Sequence, residues 1–255
     1  MADVCNQPYI CIDGMSGVGK THLLQQIKNR HHLKVNTFAP ETTSGYKYNV
    51  DVLRSFDYMF SQLLTEYKNG ATAVWDRSAY ANLIFYYVHI LMYELRDAEP
   101  LDLSLKRRAD EILSSYFLSS RMDACLDYVA KINPCLNIYL VNSDLYMVAD
   151  MLRIRGGPSD LANCTNVLYH LCQYFAYTFM ARRIPNAILI DLADYMSDSE
   201  EEFNLYHFQE TLASICSFNG PEGPVQGIVF PDRENFVKLL NTTCSDGMLS
   251  YFSKK

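Results

Sequence analysis

One eight-residue segment near the amino terminus limits what the rest of the chain can become. Residues 14–21 read GMSGVGKT and match the pattern G-x-x-x-x-G-K-[ST] at every fixed position. An apolar run at Tyr9–Ile12 precedes the segment, and apolar residues at helical spacing follow it. A loop between a strand and a helix points backbone N–H groups and the positive end of the helix dipole at one place. The segment therefore predicts a phosphate-binding loop.

Each residue of this loop has an expected part in holding a nucleoside triphosphate. The predicted binding residues are Gly14, Met15, Ser16, Gly17, Val18, Gly19, Lys20 and Thr21. The glycines let the backbone approach phosphate oxygens, Lys20 is expected to bridge the outer phosphates, and the Thr21 hydroxyl is expected to bind Mg²⁺. A glycine-rich turn that binds nothing is disfavoured, because both the motif and its strand–helix context are present. We therefore expect ATP and Mg²⁺ as ligands.

The rest of the chain alternates short apolar runs with helical patterns. Strands are predicted at Tyr9–Ile12, Val35–Phe38, Ala71–Trp75, Leu136–Val141 and Ala187–Leu192. Helical spacing is found at Thr21–Asn29, Val50–Lys68, Ala79–Leu95, Leu103–Ile132 (one or two helices), Leu145–Leu152, Leu161–Arg183 and Phe203–Phe218. Such alternation predicts an α/β fold with a five-stranded parallel sheet and helices on both faces. We expect one domain over residues 1–255, with an extension of uncertain structure at 219–255.

Composition excludes several classes of function. The 255 residues carry a net charge of −7, which argues against broad nucleic-acid binding. The eight cysteines have no C-x-x-C or zinc-ligand spacing, which indicates reduced thiols in a cytosol-like compartment. No apolar run approaches the length of a membrane span, and no signal-peptide pattern precedes the first strand. We therefore expect a cytoplasmic protein that binds neither a membrane nor nucleic acid.

Charged residues follow the second and third predicted strands. Asp76 and Arg77 end the third strand, and Glu41 follows the second. Ligands of parallel sheets bind at this carboxyl edge, so these side chains are expected beside the phosphate loop. There Asp76 could hold hydrated Mg²⁺, Arg77 could neutralise a transferred phosphoryl group, and Glu41 could accept a proton from an attacking hydroxyl. The structural alternatives are a surface ion pair at Asp76 and Arg77 and an exposed loop acid at Glu41.

A pair of arginines before two glycines predicts a lid. Arg153 and Arg155 precede Gly156 and Gly157, and we expect a mobile segment at about residues 153–160. Its arginines would clamp phosphates and exclude water from the transfer. The alternative is a solvated helix end that carries favourable cations.

The order of these motifs resembles the deoxynucleoside kinase and herpesvirus-type thymidine kinase family over roughly residues 8–193. The resemblance implies a P-loop kinase fold and ATP-dependent phosphorylation of the 5′-hydroxyl of a deoxynucleoside, thymidine or another pyrimidine deoxynucleoside. It implies that Glu41 is the general base, that Arg77 holds this base and the 5′ oxygen, and that Arg153 and Arg155 are lid arginines. It also implies a homodimer, and it suggests a large DNA virus as the source, with the host cytoplasm as the location.

The chain departs from the family pattern at the acceptor side. Glu41 and Asp76 are closer in sequence than in the family, and Pro158 stands where family lids carry an acid for the sugar 3′-hydroxyl; the nearest acid is Asp160. Gln62 could pair with the amide edge of a pyrimidine. Aromatic residues that could stack on base or sugar, or could equally be core or surface residues, are Tyr46, Tyr48, Phe56, Tyr58 and Trp75.

Three other functions are compatible with parts of the sequence. A thymidylate-kinase-type monophosphate kinase would share the segment from Pro40 to Thr43, but it would need an Arg beside Glu41, which is absent, and another on the next helix, where Arg54 is available. A relative that binds nucleotide without turnover, acting as a scaffold, would fit the acceptor-side departures. A hydrolytic ATPase is disfavoured, because no water-positioning element is evident.

Overall fold

The computed structural model describes residues 9–31, 35–37, 59–60, 62, 74–100, 102, 104–132 and 135–195. Its strands are β1 (Tyr9–Gly14), β2 (Val35–Thr37), β3 (Val74–Asp76), β4 (Cys135–Val141) and β5 (Ala187–Asp191). They form one five-stranded sheet in the order β2-β3-β1-β4-β5, and every neighbouring pair is parallel. The predicted five-stranded parallel sheet is confirmed. Its central strand, β1, leads into the predicted phosphate loop.

Seven helices are described. They are α1 (Lys20–His31), α2 (Ala81–Glu94), α3 (Leu105–Ser119), α4 (Met122–Ile132), α5 (Leu145–Arg155), α6 (Pro158–Asn163) and α7 (Val167–Ala181). The predicted region 103–132 is therefore two helices, with Arg121 in a left-handed conformation (φ 51°) at the break. Among the described helices, none combines the length and the apolar character that crossing a bilayer requires.

The predicted single helix Leu161–Arg183 is wrong. The chain instead forms α6 and α7, with a break at residues 164–166. Asn166 causes this break, because its side-chain oxygen accepts a hydrogen bond from the Tyr169 N–H and starts a new helix. Periodicity alone missed the break, since apolar residues continue across it.

Two predicted helices fall largely or wholly outside the described residues. Of the predicted helix Val50–Lys68, only Met59, Phe60 and Gln62 are described, all in helical conformation. The predicted helix Phe203–Phe218 and the extension at 219–255 lie outside the described residues, so a single domain over residues 1–255 stays a prediction.

The end of β1 lies so close to β4 that only glycine fits there. Gly14 pairs with Leu140 and has φ 150°. A Cβ atom at Gly14 would lie 2.0 Å from the Leu140 carbonyl oxygen, far inside van der Waals contact. The next residue continues the contact, since the Met15 N–H donates to the same carbonyl at 3.0 Å. The sheet thus fixes where the phosphate loop begins.

Aromatic side chains of α2, α3 and α7 form part of the core. The rings of Tyr87, Phe117 and Phe179 are buried and meet with centroids 5.7–6.4 Å apart. Tyr177 on α7 is also buried and contacts Tyr139 on β4. These aromatic side chains therefore pack in the core. The homodimer stays a prediction.

His170 is a buried titratable group on α7. Its side chain is 1% exposed, and burial lowers its pKa below the ordinary 6.5, with backbone groups of Cys164 and Asn163 opposing part of this shift. The native state therefore resists protonation that the unfolded chain accepts. The contribution of neutral His170 to the free energy of unfolding is complete above the ordinary pKa of 6.5 and is lost as the pH falls below it.

We expect acid to destabilise the fold through His170. Between about pH 7.5 and 5.5 the free energy of unfolding should fall, with a contribution from this residue of at most about 1.4 kcal/mol per pH unit below the ordinary pKa. Urea denaturation of the wild type and His170→Gln measures it. The variant should lose this component, whereas a variant of the exposed His22, His22→Gln, should retain it. An identical pH slope in His170→Gln would contradict the assignment.

Candidate functional site

The phosphate loop runs from the end of β1 to the first turn of α1 and packs against α5. Gly17 and Gly19 have φ of 84° and 79°, a left-handed conformation that disfavours other residues. A Cβ atom at Gly17 would lie 3.0 Å from the Val148 carbonyl oxygen and 3.0 Å from Leu152 Cγ, so α5 approaches the loop closely there. At Gly19 the same atom would meet nothing within 4 Å. The loop therefore has one packed wall and one open side.

Lys20 folds back over the beginning of this loop. Its half-buried ammonium donates to the carbonyl oxygens of Gly14 at 2.8 Å and Met15 at 2.6 Å. Burial lowers the pKa of Lys20 from 10.5 to about 8; Asp13 raises it and Arg77 lowers it, with smaller effects of Asp76 and Arg155. The charges of Arg77, Asp76 and Arg155 therefore act on Lys20 at the loop. The roles predicted for these four residues stay predictions.

Asp76 and Thr21 offer oxygen ligands beside the loop. Asp76 ends β3 next to β1 and is half-buried; burial raises its pKa, whereas Arg77 and Lys20 lower it. Thr21 is exposed in the first turn of α1. A carboxylate and a hydroxyl fit Mg²⁺, which in nucleotide sites keeps several waters and uses one or two protein ligands besides phosphate oxygens. In the described ranges, no three His, Cys, Asp or Glu side chains cluster for a metal, so an all-protein metal cage is not formed there.

Arg77 occupies a strained backbone position directly beyond β3. Its φ is 83°, which is uncommon for a residue with a side chain and concentrates at functional sites. Hydrogen bonds hold it on both sides: its N–H donates to the Ile12 carbonyl at 3.0 Å, and its carbonyl accepts from Gln62 Nε2 at 3.0 Å. The guanidinium lies over the Phe85 ring, 5.8 Å from the centroid. The backbone is thus fixed so that this side chain stays near the loop.

The residues predicted to bind the acceptor have different outcomes. Gln62 is buried and donates to the Arg77 carbonyl, so its amide supports the site's backbone. Trp75 is 1% exposed in a buried cluster with Cys11 and Cys135, which is a core position and corrects its assignment as a stacking residue. Strand alternation explains this, because Trp75 and Asp76 point to opposite faces of the sheet. The remaining acceptor-side predictions lie outside the described residues: Glu41, Tyr46, Tyr48, Phe56 and Tyr58.

The predicted lid contains a short connection between two helices. Helix α5 ends at Gly156, which is left-handed (φ 69°), and α6 begins with Gly157 as its N-cap and Pro158 as its first residue. The Arg155 guanidinium donates two hydrogen bonds to the Asp160 carboxylate, which raises the pKa of Arg155 and lowers that of Asp160. A Cβ atom at Gly157 would lie 2.8 Å from Asp160 Oδ2. Glycine at position 157 therefore leaves room for the Asp160 carboxylate, which is paired with Arg155.

The two lid arginines have different surroundings. Arg155 is paired with Asp160 and is among the charges that lower the pKa of Lys20, so it lies within electrostatic range of the loop. Arg153 is exposed and donates to Asp150, one turn earlier on the same exposed helix face. The charge of Arg155 therefore acts on Lys20, whereas Arg153 is paired with a carboxylate at the surface.

Sequence reasoning missed the carboxylate of Asp13. It is fully buried at the end of β1 and accepts hydrogen bonds from the Gly14 N–H at 2.8 Å, the Ser78 N–H at 3.3 Å, the Ser78 hydroxyl at 3.1 Å and the Tyr177 hydroxyl at 3.2 Å. It thereby joins the loop, the segment after β3 and α7. The sequence contains one signal: an acid directly follows the apolar run Tyr9–Ile12. A charge at the end of a buried strand is stable only if it is paired.

We expect Asp13→Asn to lower the free energy of unfolding by about 2–4 kcal/mol. The NH2 group of the asparagine amide would face N–H and O–H donors in a buried site, where it finds no acceptor. Tyr177→Phe removes one partner and should cost about 1 kcal/mol. Urea denaturation of both variants measures these values. Asp97→Asn, at an exposed pair with Arg96, is the control and should change stability by less than about 0.5 kcal/mol. An Asp13→Asn protein as stable as the wild type would contradict this role.

Two solved structures resemble the fold at low sequence identity. The deoxyadenosine kinase from M. mycoides with bound dATP matches 80% of this chain and 98% of its own, with a TM-score of 0.47 and 17% identity. The YorR protein from Bacillus subtilis in complex with phosphorylated GDP matches 79% of this chain and 95% of its own, with a TM-score of 0.39 and 11% identity. No protein-family model and no curated protein sequence matches the chain.

Proposed function

We propose that this protein is a kinase that transfers the γ-phosphoryl group of ATP to the 5′-hydroxyl of a deoxynucleoside. The observation that carries the proposal is the Lys20 ammonium on the Gly14 and Met15 carbonyls of the loop, with Arg77, Arg155 and the Asp76 carboxylate in electrostatic range of it. Three cations at the carboxyl edge of a parallel sheet suit a transition state whose charge lies on phosphoryl oxygens. A loop that only bound nucleotide would need fewer of them.

In this proposal the chain acts by positioning and electrostatics. Loop amides hold the phosphates, and the Lys20 ammonium exchanges its two carbonyl partners for phosphate oxygens. Thr21 and, through water, Asp76 would hold Mg²⁺, which would neutralise phosphate charge when bound. Arg77 and Arg155 stabilise the transferring group as the 5′ oxygen bonds to phosphorus and ADP leaves. Glu41 takes the hydroxyl proton.

The acceptor is the finer part of the proposal. We propose a pyrimidine deoxynucleoside such as thymidine, on the resemblance described above. A nucleoside monophosphate is the second candidate. In the resembled family a lid acid contacts the sugar hydroxyl, and the acid nearest that position here, Asp160, is already bound to Arg155. Assays with labelled ATP against the four deoxynucleosides and their monophosphates separate the two. If only monophosphates are phosphorylated, the acceptor is a nucleoside monophosphate and the proposed nucleoside acceptor is wrong.

The homodimer, the cytoplasmic location and the viral source stay predictions.

We expect Lys20→Ala and Arg77→Ala to lower kcat/KM at least about 1,000-fold, because each removes a charge that stabilises the transferring group. Arg77→Gly separates the side chain from its strained backbone. It should be as inactive as Arg77→Ala, yet unfold within about 1 kcal/mol of the wild type, since glycine accepts the positive φ. Wild-type-like phosphoryl transfer by any of the three would contradict the proposal.

The two lid arginines should differ in importance. Arg155→Ala is expected to lower kcat about 100-fold or more, because it removes a cation from the loop. Arg153→Ala, the matched control on the same helix, should change kcat less than about threefold, since its partner is an exposed carboxylate. Steady-state kinetics at saturating ATP and acceptor measure both values. Equal losses of kcat in the two variants would contradict the different roles assigned to Arg153 and Arg155.

A further inference from the structure

Helix α7 turns one stripe of polar side chains toward the nucleotide site. Tyr169, Gln173 and Tyr177 follow one another at intervals of four residues, which places them on the same helix face. Tyr169 acts electrostatically on Arg155, and the Tyr177 hydroxyl donates to Asp13. Gln173, between them, accepts a hydrogen bond from the loop itself. The stripe therefore contacts the middle of the loop through Gln173 and the end of β1 through Tyr177, with Tyr169 in electrostatic range of Arg155.

The contact of Gln173 with the loop is direct and buried. Its side chain is 0% exposed, and its Oε1 lies 2.9 Å from the N–H of Ser16. Because that N–H can only donate, it determines which end of the amide faces the loop. The other end, Nε2, is then buried with no hydrogen-bond partner among the residues that the structure describes. An apolar side chain of the same size would avoid this desolvation penalty, so stability alone does not explain a glutamine here.

The loop needs such an anchor because of its own composition. Glycines at 14, 17 and 19, all with positive φ, leave the unbound backbone many alternatives. The beginning of the loop is held by Met15 on Leu140, and its end by the first turn of α1. Ser16 lies between these two anchors. Its amide would be mobile without an acceptor from outside the loop.

We propose that Gln173 is a positioning residue that holds the Ser16 amide, and with it the middle of the phosphate loop, in the conformation that receives phosphates. The proposal rests on the proposed function in so far as ATP is the ligand. Gln173 acts through the backbone and does not touch the reacting atoms. Preorganisation of this kind lowers the ordering cost of binding, so its loss weakens ATP affinity more than it slows phosphoryl transfer.

The test uses the purified full chain with Gln173→Met, which keeps the size of the side chain and removes the acceptor. Calorimetry with ATP and Mg²⁺ should give a Kd raised about five- to tenfold, the effect of one lost hydrogen bond. The kcat at saturating ATP should stay within about twofold of the wild type. Amide hydrogen exchange at Ser16, followed by NMR, should accelerate in the same variant.

Two further variants separate positioning from a general structural role. Gln173→Glu keeps an acceptor oxygen and should restore the slow exchange of the Ser16 amide. Thr178→Val removes a hydroxyl on the same helix that is buried and without a partner in the described residues, and it should leave both the Kd and the exchange rate unchanged. If Gln173→Met does not fold, Gln173→Leu replaces it in the same measurements.

The outcomes distinguish this inference from the proposed function. A wild-type Kd and an unchanged Ser16 exchange rate in Gln173→Met would overturn the inference alone. A wild-type chain that binds ATP but phosphorylates none of the acceptors would overturn the proposed function alone, with the positioning role intact. A wild-type chain that binds no ATP would overturn both.

Discussion

The fully buried carboxylate of Asp13 is the interaction on which the site's geometry depends. Its four hydrogen bonds come from three parts of the chain that are distant in sequence: the phosphate loop, the segment after β3, and α7. A charge in such a position is stable only while its donors remain in place. The cost of exposing or unpairing it therefore holds these parts in one arrangement. The Ser78 hydroxyl extends the network, because it also accepts from the Tyr139 hydroxyl on β4 at 3.3 Å.

Around this anion the structure assembles positive charge. Lys20 is held close to Arg77 and Arg155, and burial together with these cations makes its protonated form less favourable than in water. Backbone carbonyls, the Phe85 ring and the Asp160 carboxylate each hold one of the three cations. Such an arrangement gains stability when an anion enters, because the cations then face opposite charge. The electrostatics around the loop thus favour the entry of an anion.

Much of this architecture could be predicted from local patterns. The phosphate loop and all five strands follow from a motif of eight residues and from short apolar runs, and the convergence of Asp76 and Arg77 on the loop follows from the edge at which parallel strands end. What failed depends on tertiary structure. The break before α7 is made by one capping side chain within an apolar stretch, and Trp75 looks like any aromatic residue until the alternation of β3 assigns it a face.

The side chains that position the site were the hardest to foresee. Asp13 directly follows the predicted strand Tyr9–Ile12, and Gln173 lies within the predicted helix Leu161–Arg183, but neither pattern contains the partner to which the residue bonds. Those partners lie 65 and 157 positions away in the sequence. The pairing of β1 with β3 brings Ser78 to Asp13, and the packing of α7 against the sheet brings Gln173 to Ser16. Chemistry that resides in a contiguous motif can be read from the sequence, whereas support from distant segments requires the fold.

The burial of Trp75 has an optical consequence. It is the single tryptophan of the chain, so indole emission originates at one point, in the middle of β3 and one residue before Asp76. Its surroundings are apolar and include the sulfur atoms of Cys11 and Cys135, so the folded protein should emit at short wavelength and with thiol quenching. Solvent entry between β1 and β3 would shift that emission to the red. The chain thus contains its own spectroscopic reporter at the strand pair from which the phosphate site is built.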